Sequence, residues 1–283
     1  YGAGDEKMLK KSVAAAIVIG VAVVAALTIW SQIIMIPLLR ILHTPSEVIG
    51  EAYGYISVIT RFTLVMFAYN LCAGMLRAVG NSLMPLVFLI ISSLANILLD
   101  YVFIAILHRG LKGAAEATVI AQSISVCLCL VYIARAVPMI IPKKEHFNAD
   151  MRLYRGMTAQ GLSMGFMNCF VSAGSVILQS GINGLGYLII AAHTSARRIY
   201  QFCMIPSIAM MQTVNTFVSQ NYGARKPERI RRSMKYSYLY TAALTVIITV
   251  LVWSFAPYMI RWISGSDETK VLENGMLYLR IVS

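Results

Sequence analysis

Long apolar runs, separated by short clusters of charged residues, are the dominant pattern along the chain. Six stretches contain no Asp, Glu, Lys or Arg, and they cover residues 12–39, 78–99, 117–134, 156–196, 199–224 and 236–260. An α-helix needs about 20 residues to cross a hydrocarbon layer about 30 Å thick. Most of the stretches reach that length, so the pattern predicts helices that span a membrane.

Charges and turn residues between the apolar runs set the limits of the predicted helices. We place spans at residues 13–39, 53–76, 85–107, 114–137, 153–180, 187–219 and 237–263, and an eighth that begins near Gly275. The predicted fold class is therefore an all-α polytopic membrane protein with about seven complete transmembrane helices and the start of an eighth.

The composition excludes an ordinary soluble enzyme and a disordered chain. Of the 283 residues, 58% are hydrophobic and 13% are charged, whereas a soluble domain carries about 25% charged residues to wet its surface. The five cysteines lie inside the predicted spans without metal-binding spacing. We therefore expect buried, reduced thiols.

The net charge of +12 is explained by membrane topology. If successive loops alternate between the two sides, 15 of the 24 Lys and Arg residues lie on one side and five on the other. The positive-inside rule assigns the richer side to the cytoplasm. No nucleic-acid partner is needed, and we expect the densest basic cluster, residues 225–235, to contact anionic membrane lipids.

An internal repeat relates the two ends of the chain. Residues 1–12 align with residues 222–233 at an offset of 221, beginning with Tyr-Gly-Ala in both copies. Six predicted helices separate the copies, so the repeats have the same orientation in the membrane. We expect two six-helix units in the parent protein, of which this chain is a fragment that lacks both ends.

Several motifs resemble the multidrug and toxic compound extrusion (MATE) family of secondary transporters. They occupy residues 1–6, 76–85, 96–104, 110–122 and 218–224, in the order that the family has. The resemblance implies a twelve-helix fold of two lobes around a cavity that opens alternately to either side. We place a partial N-terminal lobe at 1–140, a cytoplasmic linker at 141–152 and a partial C-terminal lobe at 153–283.

The resemblance also implies the activity of the full-length protein. It would be an antiporter in the bacterial inner membrane, a monomer that exports organic, cationic and drug-like small molecules in exchange for Na⁺ or H⁺. No catalytic residues and no cofactor other than the coupling ion are expected.

Asp100 is the only acidic residue well inside a predicted span, and a carboxylate there is a functional-site hypothesis. Asn96 lies four residues earlier on the same helical face, and Thr118 lies at matching depth in the next span. These oxygens suit a hard cation such as Na⁺, or a proton on Asp100. The alternative is a helix-to-helix hydrogen bond with Asp100 neutral. The family resemblance favours the cation site and adds Tyr55, together with an Asp from a helix that precedes this chain.

Polar residues in other spans are candidates for the substrate cavity. Met66 and Asn70 lie four apart in the second span, and further amides lie beyond residue 160, of which we single out Asn168, Gln179 and Gln212. Such amides line a wet cavity or bridge helices, and the sequence favours neither. The stretch 161–170 contains no carboxylate, so no ion coupling is expected there.

Arg197 and Arg198 lie about ten residues into the sixth span, too deep to reach the interface easily. We expect at least one of them to face the protein interior and to donate hydrogen bonds to backbone carbonyls.

Two other functions compete with drug antiport. A lipid-linked oligosaccharide flippase of the related superfamily would need a more cationic cavity for a pyrophosphate group. A non-transporting membrane scaffold would have no reason for a buried Asp-Asn-Thr set.

Overall fold

The computed structural model describes residues 1–41, 46–148, 150–265 and 268–282. Every regular element in this part of the chain is helical, and no strand occurs in it. The long helices are α1 (Glu6–Ile41), α2 (Ser46–Arg61), α3 (Thr63–Ala78), α4 (Leu83–Asp100), α5 (Gly110–Ala136), α6 (Met151–Asn183), α7 (Tyr187–Gly223), α8 (Pro227–Ser264) and α9 (Thr269–Val282). A π-helical turn at Tyr101–Ile106 follows α4, and two 3₁₀ turns, Pro138–Ile140 and Lys144–Phe147, follow α5.

Five helices within the described residues are long and apolar enough to cross a membrane, or six if the bent pair α2 and α3 forms one span. The prediction of an all-α membrane protein is thereby confirmed. The helix α7 has the length but is not among the five, because amides and two arginines lower its hydropathy.

Two predicted helices differ from the structure. The predicted span 53–76 is broken near Phe62, where the axes of its two parts differ by 45°. Thr60 and Thr63 lie beside the break, and the Thr63 hydroxyl donates to the Thr60 carbonyl at 2.8 Å. Hydroxyl groups that bond to helix carbonyls favour bending. The last helix begins at Thr269 rather than near Gly275, because the Glu268 carbonyl accepts the first backbone bonds.

The chain divides into two compact units, Ala3–Gln160 and Gly161–Ser283. In the first unit, α5 is the central helix and packs against α2, α3 and α4. Its buried residues include Ala115 and Ala117, whose small side chains let neighbouring backbones approach closely. Farther along α5, Cys129 and Ile133 pack with Leu76 and other residues of α3 and α4.

In the second unit, α7, α8 and α9 pack against one another. Their shared core contains eight buried residues, namely Ala192, Ala196, Ile199, Val252, Ala256, Ile260, Val271 and Leu279. The division between the units falls inside α6, a helix whose side chains are almost all exposed. The predicted lobe and linker boundaries stay a prediction.

Candidate cation site and cavity residues

The helix α4 is apolar except for Ser92, Ser93, Asn96 and Asp100, and three of these, Ser92, Asn96 and Asp100, are spaced four residues apart. Because 3.6 residues form one turn, these three side chains lie on one face. The helix begins after Ser82, where the Asn81 carboxamide oxygen accepts the backbone N–H of Met84 at 3.2 Å. Ser92 is buried and its hydroxyl donates to a carbonyl of its own helix. Ser92 is not among the predicted site residues, although its spacing of four residues from Asn96 is a signal in the sequence.

Asn96 and Asp100 are half-buried, and in the described part of the chain one side-chain atom of each is buried without a hydrogen-bond partner. Within the described residues, neither Asn96 Nδ2 nor Asp100 Oδ1 has a hydrogen-bond partner. A buried polar atom that makes no hydrogen bond costs about 1–3 kcal/mol, and more if it is charged. Asp100 Oδ1 can therefore accept a proton or coordinate a cation, whereas Asn96 Nδ2 is a donor and can bond only to an acceptor.

Asp100 also marks a change in backbone geometry. It is the last residue of α4, and the π-helical turn Tyr101–Ile106 begins directly after it. In this turn the Leu107 N–H donates to the Val102 carbonyl at 2.9 Å, five residues back. Such π turns within α-helices occur frequently at functional sites. No residue pattern in the sequence analysis predicted this turn.

Thr118 lies on α5, the helix that packs along α4. Its side chain is half-buried, and the hydroxyl donates to the Ala114 carbonyl at 3.0 Å. This hydrogen bond uses the hydroxyl proton of Thr118, so the lone pairs of its oxygen remain available as acceptors. Two residues earlier, Glu116 Oε2 pairs with Arg109 at 2.7 Å and ties the start of α5 to the preceding turn. Convergence of Thr118 with Asn96 and Asp100 on one ligand stays a prediction.

Tyr55 lies on α2 and is 38% exposed, so part of its ring is free to contact other groups.

Five and six residues after Tyr55, a polar network joins α2 to α1. Gln32 Nε2 donates to Thr60 Oγ1 at 2.6 Å, and Arg61 Nε donates to Gln32 Oε1 at 3.4 Å. The sequence analysis missed this network, because the pairing of Gln32 with residues 28 and 29 positions away has no local signal.

The cavity candidates of the first unit lie on α3. Asn70 is exposed, and its Nδ2 donates to the Met66 carbonyl at 2.8 Å, which places both residues on one face.

The candidates of the second unit lie on α6 and α7. Asn168 and Gln212 are exposed, and Gln179 is half-buried. Gln179 donates to Asn183 Oδ1 at 2.9 Å along its own helix. Among the described residues of either unit, no group of three or more His, Cys, Asp or Glu side chains could hold a metal ion. The candidate cavity role of these residues stays a prediction.

The two arginines of α7 have different surroundings. Arg197 is half-buried and its guanidinium donates to the Ser175 hydroxyl on α6, whereas Arg198 is exposed. The expected inward-facing arginine is therefore Arg197. Its observed partner is a side-chain hydroxyl rather than the backbone carbonyls that we predicted, because helix carbonyls are already bonded within their own helix.

The sequence of this chain is similar to a known protein family and to the sequences of several related proteins. The sequence model of the family described as MatE matches residues 1–102 and 164–283. The probable multidrug resistance protein YpnP of Bacillus subtilis is 27% identical over 233 residues, which are 81% of this chain and 52% of that protein. The probable multidrug resistance protein NorM of Thermotoga maritima is 21% identical over 297 residues, which cover 99% of this chain and 61% of that protein.

Solved structures show the same fold at low sequence identity. A crystal structure of MATE in complex with MaL6 has a TM-score of 0.89 at 20% identity, and the match covers 99% of this chain and 63% of that one. An outward-facing conformation of a multidrug resistance MATE family transporter has a TM-score of 0.85 at 20% identity, covering 99% and 65%. The chain thus spans between about half and two thirds of the length of the proteins it resembles.

Proposed function

Because this chain belongs to the MatE family, we propose that the full-length protein is an antiporter that exports organic, cationic and drug-like compounds in exchange for Na⁺ or H⁺. The predicted family, the fold class and the multi-pass membrane location are confirmed. Members of the family are transporters rather than enzymes. The coupling ion, the compounds and the antiport cycle are the parts that we propose.

The buried Asp100 Oδ1, which has no hydrogen-bond partner among the described residues, carries the proposal. An unpaired carboxylate inside a membrane span costs about 2.5–3.5 kcal/mol on insertion scales. A proton or a cation on Asp100 removes most of that cost, because it neutralises the charge or supplies the missing partner. The oxygens of Asn96 and Thr118 would complete the set of ligands for a cation.

The number of charges favours a monovalent ion. Asp100 is the one acidic side chain of the proposed set, and its other members, Asn96, Thr118 and Tyr55, are neutral. A divalent ion would keep a net positive charge in an apolar surrounding, which is costly. Hard cations prefer oxygen ligands, and the atoms of this set that can coordinate a cation are all oxygens. Na⁺ and H⁺ therefore fit better than a divalent or a thiolate-binding metal.

Coupling requires that the ion and the exported compound favour different states of the protein. Each ligand shifts the equilibrium only by its difference in affinity between those states. Charging and neutralising Asp100 would change the cost of its burial, and the adjacent π-helical turn is the segment where we expect α4 to respond. The compounds would contact the cavity candidates on α3, α6 and α7.

The test is an Asp100→Asn variant of the full-length protein in proteoliposomes. We expect its efflux of a fluorescent organic cation, driven by an imposed Na⁺ or pH gradient, to fall at least tenfold, because the amide cannot carry the ion's charge. Asp150→Asn is the matched control, since Asp150 is exposed outside the spans and loses the same charge.

Binding of the organic cation to the purified Asp100→Asn variant would show that the variant is folded. Gradient-driven efflux at the wild-type rate by Asp100→Asn would refute the proposed coupling site. A loss of efflux in Asp150→Asn as large as that in Asp100→Asn would show that the effect is not specific to the buried carboxylate.

A further inference from the structure

A groove of about 270 Å³ lies between α7 and α8 in the second unit. Its walls are mainly apolar and include Met210, Met211 and Val214 on α7 and Met234, Tyr238 and Thr241 on α8. Methionine side chains are unbranched and flexible, so they adapt to a chain-like apolar ligand. None of the residues proposed for ion coupling lines this groove.

Exposed tyrosines place one end of the groove at a membrane surface. Tyr222, Tyr236, Tyr238 and Tyr240 are between 55% and 78% exposed, and they lie at the end of α7 and in the first turns of α8. Tyrosines are enriched where a membrane helix passes from the headgroups into the hydrocarbon. The groove therefore extends into the bilayer from the headgroup level, on the side that the charge count assigns to the cytoplasm.

A dense cluster of cations lies at the same end. The residues of this basic cluster are all exposed, and they are Arg225, Lys226, Arg229, Arg231, Arg232 and Lys235. Glu228 is the one acidic residue between the first and the last of them. In the part of the chain that the structure describes, none of the three ion pairs involves a member of this cluster.

Arginines of the basic cluster lie on different sides of α8. Arg231 lies three residues before Met234 and seven before Tyr238, so it shares the side of α8 that borders the groove. Arg232 lies on the opposite side of the helix, and its guanidinium lies over the Tyr236 ring at 5.7 Å from the centroid. The two arginines are therefore neighbours in sequence with different access to the groove.

The other copy of the internal repeat lacks this arrangement. At the start of α1, three lysines are accompanied by Asp5 and Glu6, and Lys10 forms an ion pair with Glu6 at 2.5 Å. The start of α1 is thus nearly neutral, whereas the equivalent start of α8 is strongly basic. The excess of cations beside the groove is therefore not a general property of these helix ends.

We propose that the groove between α7 and α8 binds an anionic phospholipid of the cytoplasmic leaflet, with an acyl chain along the methionines and the phosphate on the guanidinium of Arg231. A guanidinium binds phosphate through two parallel hydrogen bonds, which also orients it. An organic cation is disfavoured here, because the basic cluster repels positive charge. The inference is independent of the antiport cycle, since binding is measured without transport.

The test measures lipid binding to the purified full-length protein by native mass spectrometry. The probes are phosphatidylglycerol and phosphatidylcholine with identical acyl chains. We expect Arg231→Gln to bind phosphatidylglycerol about fivefold more weakly, since one interfacial cation contributes about 1 kcal/mol. Arg232→Gln is the matched control and should change the affinity less than twofold. Met211→Trp, which fills the groove and leaves every cation in place, should also lower the affinity several-fold.

Four results would overturn the proposal. Equal losses in Arg231→Gln and Arg232→Gln would indicate a diffuse basic surface, and equal binding of the two lipids would show that the headgroup charge is not recognised. Unchanged binding in Met211→Trp would show that the groove is not occupied by the lipid. Displacement of phosphatidylglycerol by an exported organic cation would assign the groove to transported compounds instead.

Discussion

The helices α1 and α3 approach closely at Gly20 and Phe67. We predict that Gly20→Ala destabilises the protein when the Phe67 ring is present and stabilises it when the ring is removed. Gly20 of α1 faces Phe67 of α3, and a Cβ added at Gly20 would lie 1.9 Å from Cζ and 2.3 Å from Cε2 of that ring. Carbon atoms in favourable contact are about 3.5–4.0 Å apart, so in Gly20→Ala the ring would have to move by about 1.5 Å. Overpacking of this kind costs about 1–3 kcal/mol.

The same substitution also has a favourable contribution. Alanine is about 0.8–1.0 kcal/mol better than glycine in a helix, so the net destabilisation expected for Gly20→Ala is about 0–2 kcal/mol. Replacing Phe67 by leucine removes the ring atoms that meet the new Cβ. In the Phe67→Leu background, Gly20→Ala should therefore stabilise by up to about 1 kcal/mol. The predicted coupling energy between the two sites is about 1–3 kcal/mol.

Buried thiols in the same unit provide the assay. Cys72 and Cys129 are buried in the core of α3, α4 and α5, so a thiol-reactive fluorophore reports the thermal unfolding of this unit. The remaining cysteines would be replaced by serine in every variant, and they are Cys127, Cys169 and Cys203. At about 2–4 °C per kcal/mol, Gly20→Ala should lower Tm by up to about 8 °C in the native background.

Gly74→Ala is the matched control, because an added Cβ at this helical position has no atom within 4 Å. It should raise Tm slightly in both backgrounds. The steric argument is refuted if Gly20→Ala changes Tm by the same amount and in the same direction with and without the Phe67 ring.

Three further variants test single contacts by thermal unfolding. The two in the first unit use the assay above, and Ser175→Ala is followed through Cys203, which is retained in that background and packs against the core of α7, α8 and α9. Ser125→Ala removes a buried hydrogen bond of 3.3 Å to a carbonyl of α4. The loss of stability should be only about 0.6 kcal/mol, since that carbonyl keeps its helical partner. A loss above about 2 kcal/mol would contradict this expectation. Glu116→Gln removes the ion pair with Arg109, whose side chain is 46% exposed. We expect a loss of stability of at most about 1 kcal/mol, and a smaller loss in 1 M than in 50 mM choline chloride. A loss that does not depend on salt would count against the ion pair. Ser175→Ala removes the hydroxyl that accepts from Arg197 and should cost about 1.5–3 kcal/mol, as for hydrogen bonds to charged groups; an unchanged Tm would show that Arg197 has an equivalent partner.

The cation site illustrates which part of a site can be predicted from local spacing. The separation of four residues placed Asn96 and Asp100 on one face of α4, and the structure has both on that helix with their polar atoms buried. Helical periodicity acts within one segment, so no knowledge of neighbouring segments was needed. Whether Thr118 approaches these two depends on the packing of α5 against α4, which spacing does not determine.

The break near Phe62 shows where local reasoning failed. No proline or glycine lies between Thr60 and Thr63, and the apolar pattern is interrupted there only by the two threonines and Arg61. The bend coincides with hydroxyl bonds to helix carbonyls and with the contact from Gln32 on α1. A side chain from another helix contributes to this geometry, so the sequence of the broken segment contains only part of the cause.

By itself, the sequence determined that this chain forms membrane helices and which family it resembles. A helix satisfies its own backbone hydrogen bonds, so apolar length alone is sufficient to predict a span. The tertiary structure alone decided that α2 and α3 are separate, that Ser175 is the partner of Arg197, and that a methionine-lined groove lies beside Arg231. These features arise from contacts between residues distant in the chain, and their energies depend on distances that only the packed helices establish.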